Sequence, residues 1–253
     1  PAALSGAAAM VIHARRPTRA PRRTKGPAMP LAAPDLAGFF TSGATFSYED
    51  GSTGTLAVAE GGSLWLPTGR VVACDPFVYV GGGDPAAFTA QVEPGRYRVE
   101  VAMATLTPAG EPEPAPGEGH RRVAAARLVI RDTPAASWEL ALRGGQDPSG
   151  LGDGEYFGYG VDAGTGCFYD AAADESFPDC EGDVGPLWDA FEKTGHAPGA
   201  HRVEGEAGHD LVAFSSGWGD GSYPTWVGRD AEGEITCFVT DFFVVPPREA
   251  EAA

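Results

Sequence analysis

Apolar and polar residues alternate along this chain in short runs, each cut off by Gly, Pro or Asp. The clearest run is Arg96-Tyr97-Arg98-Val99-Glu100-Val101, a period of two that predicts a strand with one buried face. Similar runs predict strands at Phe46–Tyr48, Thr55–Ala59, Ser63–Leu66, Arg70–Ala73 and Phe88–Val92. Further strands are expected at Arg122–Arg131, Ser137–Leu142, Leu211–Ser215, Tyr223–Val227 and Glu234–Val245. Gly61-Gly62 should separate two of them, Asp75-Pro76 and Pro94-Gly95 should stop or turn others, and Asp230–Gly233 should join the last two as a hairpin. One segment has helical spacing: in Pro186–Thr194, Leu187, Trp188 and Phe191 share a face, and Gly195 follows as a stop. The expected fold is all-β to β-rich α+β, a mainly antiparallel two-sheet sandwich with one short helix.

Composition agrees. With 43% hydrophobic and 10% aromatic residues among 253, the chain can bury a core. Its 36 Gly and 22 Pro leave little room for long helices, and no apolar run reaches the length of a membrane span. Charge divides the chain. Residues 1–34 carry six basic residues and no acid, while the rest carries 12 basic and 35 acidic residues. Three segments are therefore expected: a disordered basic stretch over 1–34, a single β-rich domain over 35–247, and a tail over 248–253. The basic stretch lacks the apolar core of a secretion signal. Met10 and Met29 are candidate starts, so this stretch reads as lying upstream of the natural one. An acidic body disfavours nucleic acid and anionic membranes as partners and suits a small ligand or a protein.

Cys74, Cys167, Cys180 and Cys237 lack the paired spacing of a zinc site. Cys74 and Cys237 read as buried and inert. Cys167 and Cys180 flank an acidic loop and could pair, but a cytoplasmic location and free thiols are the default.

Four groups of segments, taken in order, resemble a bacterial family of uncharacterised proteins, domain of unknown function 4241. They are Leu66–Pro76; Pro94–Val101 with Arg122–Leu128 and Trp138–Ala141; Tyr159–Asp170; and Ser215–Gly228 with Val239–Phe242. The resemblance implies a compact bacterial domain and supplies no activity, so candidate chemistry rests on the residues alone.

Asp162 and Asp170 bracket a Gly-rich stretch that could cradle a ligand, or could simply be a turn with Asp162 capping amides. Gly217–Trp226 places Trp218, Asp220, Tyr223 and Trp226 close together, an aromatic platform beside a carboxylate that suits a sugar or a cation. The plainer alternative is a bulge or hairpin, with Asp220-Gly221 as its type I′ turn and the tryptophans plugging the core. His196, His201 and His209 lack a spacing that would aim them at one metal. Cys167 with His201 or His209 has the chain order of some cysteine hydrolases, in surroundings too acidic for a thiolate. Asp162, Asp170, Asp220 and Asp241 could share a divalent cation or act as an acid/base pair. The leading expectation is a binding module with its site near Trp218–Trp226. The rivals are a hydrolase using paired Asp residues, with a divalent metal as the only cofactor considered, and an acidic immunity-type inhibitor of a basic partner.

Overall fold

The computed structural model describes residues 11–12, 29–81, 86–115, 118–177, 185–194 and 197–247. Its elements begin with β1 (Val11–Ile12), α1 (Leu36–Phe39), β2 (Thr45–Ser47), β3 (Thr53–Leu66), β4 (Val71–Cys74) and α2 (Pro76–Tyr79). They continue with β5 (Gly95–Thr107), β6 (His120–Val129), β7 (Ser137–Leu140), β8 (Tyr156–Phe157), β9 (Tyr159–Val161) and β10 (Thr165–Asp170). The last are α3 (Pro186–Glu192), β11 (Ala200–Glu204), β12 (Asp210–Ser215), β13 (Gly221–Tyr223), β14 (Thr225–Arg229) and β15 (Ile235–Asp241).

Among the described residues every strand pairing is antiparallel. Seven strands form one sheet in the order β2-β3-β5-β6-β15-β14-β7, and four form another in the order β11-β12-β10-β4. The pair β13-β9 and the pair β1-β8 form two small ribbons. This is the expected β-rich sandwich. No helix among the described residues is long and apolar enough to cross a membrane.

The four-stranded sheet is buried on both faces, and period-two geometry sorts its side chains. Val71, Ala73, Phe168, Val212 and Phe214 join the core shared with the large sheet. Their neighbours Val72, Cys74, Cys167, Tyr169, Leu211 and Ala213 face a second core, closed by Leu187 and Phe191 of α3. The expected helix is therefore the lid of an outer layer. Asp210, fully buried, ties the sheets together at one end. It accepts from the Trp65 amide (2.7 Å), from Arg96 (3.1 Å) and from two Arg202 nitrogens (2.9 and 2.7 Å).

Several expected boundaries move, each for a local reason. Gly61-Gly62 does not end a strand: β3 runs through it, with a register shift between Glu60 and Gly62. A Cβ on Gly61 would lie 3.0 Å from the Ala200 Cβ, so the bulge lets β11 pass close. Phe88–Val92 makes only the isolated bridges Phe88↔Arg143 and Arg70↔Gln91. Pro224, with no N–H to give a ladder, splits the expected Tyr223–Val227 strand into β13 and β14. The Asp220-Gly221 turn is also corrected. Positive φ falls at Gly217 and Gly219 instead, and the loop connects different sheets rather than closing a hairpin. Strand β11, short and half polar, had no counterpart in the sequence pattern.

Most of residues 1–34 lies outside the described set. Val11–Ile12 pairs with β8. The Met29 and Leu31 backbones bond to Gly154 and Glu155 respectively, and Leu31 and Ala33 pack on the main core.

Candidate functional site

The two Gly-rich segments meet in space. The Gly164 N–H donates to the Asp220 carboxylate (3.1 Å), and the Ser216 N–H donates to the Gly164 carbonyl (3.0 Å). Strands β9 and β13 then pair from Gly221↔Val161 to Tyr223↔Tyr159. One register step beyond that first pair brings Asp220 and Asp162 to facing positions, both exposed.

The loop holding Trp218 is stapled from within. Ser216 Oγ and Tyr223 Oη each donate to the Gly219 carbonyl at 2.8 Å. Gly217 needs its lack of a side chain, since φ is +63° and a Cβ would sit 2.8 Å from both Phe242 Cβ and Val244 Cγ2. Beneath the loop the rings of Phe168, Phe214, Phe242 and Tyr223 follow one another at 5.0 to 5.9 Å, linking it to the inter-sheet core.

Trp218 itself stays 49% exposed. Its Nε1–H donates to the Phe243 carbonyl (3.3 Å), and the Arg122 guanidinium lies 5.4 Å from its ring centroid. Phe243 is also exposed and adopts φ +55°, a costly conformation for a residue with a Cβ. Two hydrogen bonds grip it: the one from Trp218, and its own N–H to Asp241 (2.9 Å). Its ring lies against Tyr156 and Tyr223. Burial pushes the Asp241 carboxyl up to about 7, against the opposing Phe243 N–H. Burial likewise pushes the Tyr156 and Tyr223 hydroxyls up to about 12, so both stay protonated donors.

The Asp162–Gly164 turn is capped from outside. Fully buried Asp75 accepts from the amides of Asp162 (2.9 Å), Ala163 (2.7 Å) and Phe77 (3.0 Å). Burial raises its carboxyl despite those donors. The expected local capper, Asp162, is thus the residue capped.

Of the six expected site residues, Trp218, Asp220, Asp162 and Tyr223 come together, with Tyr223 buried as support. The other two do not join them. Asp170 ends β10 at its far end, roughly 16 Å along the strand from Thr165. There its buried carboxylate accepts from Thr68 Oγ1 (2.6 Å) and from the amides of Thr68 and Ala172. Trp226 is buried on β14, between Val239 and Leu140. Neither of the two cavities that stand out, one of about 10 Å³ and one of about 490 Å³, is lined by Asp162, Asp170 or Asp220.

The remaining chemistry disperses. Among the described residues, no group of three or more His, Cys, Asp or Glu is placed to hold a metal. His196 and Cys180 lie outside those residues. His201, Ala213 and Cys167 occupy one row on three adjacent strands, which puts His201 roughly 10 Å from Cys167. Cys167 instead faces Cys74 across β4–β10, Sγ to Sγ 3.8 Å, and burial drives its thiol far up the scale. Arg122 and Phe243 were missed at the sequence level. An apolar run read as strand gives no sign that Phe243 leaves the ladder with positive φ.

A family model described as "Protein of unknown function (DUF4241)" matches residues 64–240. No curated protein and no solved structure matches the chain.

Proposed function

The chain belongs to the DUF4241 family, described only as being of unknown function, and from that premise we propose that it is a binding module for a protein partner with a basic contact surface. Its contact surface is the end carrying Trp218, Phe243, Asp162 and Asp220. The observation that carries this reading is the fixed, half-exposed Trp218. An exposed indole with its N–H bonded and its loop stapled presents a rigid flat surface with little ordering entropy left to lose. Trp, Tyr and Arg are the residue types that dominate binding hot spots, and Arg122 lies over this ring. Two exposed carboxylates beside it, on a chain of net charge −17, favour a basic partner. The hydrolase alternative has less support: Asp220 and Asp162 face each other but are both exposed and line neither cavity, and Asp170 is held in a structural bracket at the other end.

Selection from a displayed library of random 12-residue peptides tests this. Peptides enriched on the native protein should be basic, and should weaken at higher salt. They should bind Trp218→Ala about 2- to 30-fold less well, the range of a cation–π contact of 0.5–2 kcal/mol. Peptides that bind Trp218→Ala and Asp220→Asn undiminished would place any binding surface elsewhere.

A further inference from the structure

The large sheet ends at β7, which among the described residues pairs with β14 alone. Just outside β7, the Ala136 N–H donates to the Arg229 carbonyl (2.6 Å) and the Ala141 N–H to the Thr225 carbonyl (2.8 Å). With the register Leu140↔Trp226 and Trp138↔Gly228, these bonds fix the alternation of the ladder. Ser137 and Glu139 turn their backbone groups toward β14, and Trp138 and Leu140 turn theirs outward. Among the described residues nothing bonds to those outward groups. Two positions further on, the outer edge is paired: the Thr89 N–H donates to the Leu142 carbonyl (2.8 Å), and Phe88 bridges Arg143 antiparallel. This outer ladder stops at Thr89. A cleft of about 490 Å³ lies where it stops, lined by Thr89, Ala90, Leu140 and Leu142 and walled by Leu31 and Trp226. The opposite edge strand, β2, lines neither of the two cavities. Open backbone donors and acceptors, in line with an interrupted ladder and beside a cleft, suit an added strand. Charge at this edge is acidic: Glu139 also lines the cleft, its side chain 55% exposed although Arg229 bonds it (2.7 Å).

We propose that β7 is a docking edge for an extended segment of a partner protein, antiparallel to β7 and patterned apolar–basic–apolar. The two apolar residues pair with Trp138 and Leu140 through backbone hydrogen bonds, which puts their side chains on the sheet face of Leu140 and Trp226. The basic residue between them stands opposite Glu139, where an opposite charge is favoured, on a chain of net charge −17. A second copy fits less well, because two β7 edges that both use Trp138 and Leu140 set Glu139 against Glu139.

The probe is the capped peptide acetyl-Thr-Val-Lys-Val-Thr-amide, added to the ¹⁵N-labelled full chain. At millimolar peptide the backbone amide resonances of Trp138 and Leu140 should shift saturably. N-methylation of both valines removes the donors that meet β7, and should weaken binding about 5- to 100-fold, the loss of two backbone hydrogen bonds. N-methylation of the lysine, whose N–H points away from β7, should cost far less. Glu139→Lys, at an exposed position, should reverse the charge preference toward the peptide with glutamate in place of lysine. Unmoved Trp138 and Leu140 resonances, or equal affinity for the valine-methylated peptide, would overturn the proposal. So would shifts of the same resonances with protein concentration alone, which would assign the edge to a second copy. Each of these results leaves the Trp218 surface untouched, since its own test reads a different residue.

Discussion

Asp241 is a buried carboxylate whose environment makes stability depend on pH near neutrality. It is 2% exposed, and its carboxylate accepts from the Phe243 N–H, while the Phe243 carbonyl in turn accepts from Trp218. Its folded form binds a proton more tightly than the unfolded chain, where a carboxyl titrates near 4. The contribution is therefore complete below about pH 4 and declines as pH rises to about 7. A shift of that size corresponds to on the order of 4 kcal/mol. Asp75 is shifted in the same direction by burial, and Glu100, held down by Arg127 and Arg98, in the opposite one. Asp241→Asn keeps an acceptor for Phe243 without the charge, so it isolates the effect. Urea midpoints between pH 5.5 and 8 should fall with pH in the native protein and fall distinctly less in Asp241→Asn. Parallel curves would show that Asp241 ionises normally. No sequence pattern announces such a group: Asp241 reads as one of four carboxylates in the family-like segments, and only the fold buries it.

Among elements, the runs with strong alternation were legible and the junctions were not. Strands β5, β6, β12 and β15 and helix α3 follow from periodicity, because tertiary packing reinforces the local pattern there. Errors arise where a backbone requirement outweighs hydrophobicity: the bulge at Gly61-Gly62, the ladder break at Pro224, the positive φ at Phe243. The site was half legible for the same reason. Neighbours in sequence, Trp218 and Asp220, stay together. Trp226 lies past Pro224 on another strand, and Asp170 is carried away by the length of β10. The Trp218 loop depends on Gly217 in particular. Gly217→Ala adds a Cβ at positive φ into contact with Phe242 and Val244. A loss of about 2–4 kcal/mol is expected from denaturation curves, and an unchanged midpoint would mean that the loop can re-route.

At the scale of the whole molecule, the sandwich is one inter-sheet core with an outer layer under α3, plus an N-terminal strap at Met29–Ala33. Leu31 packs on the core and its backbone bonds to Glu155. Deleting residues through 34 should therefore lower the thermal midpoint by more than deleting residues through 28, which spares the strap. Equal midpoints for the two truncations would show that the strap contributes nothing. The proposed binding role rests on the Trp218 end being surface rather than core, and one denaturation curve, that of Trp218→Ala, tests this most directly. A half-exposed ring with one hydrogen bond and one cation–π contact predicts a loss of about 1 kcal/mol or less and an intact fold. A loss of about 3–5 kcal/mol, as for a tryptophan removed from a core, would contradict the account.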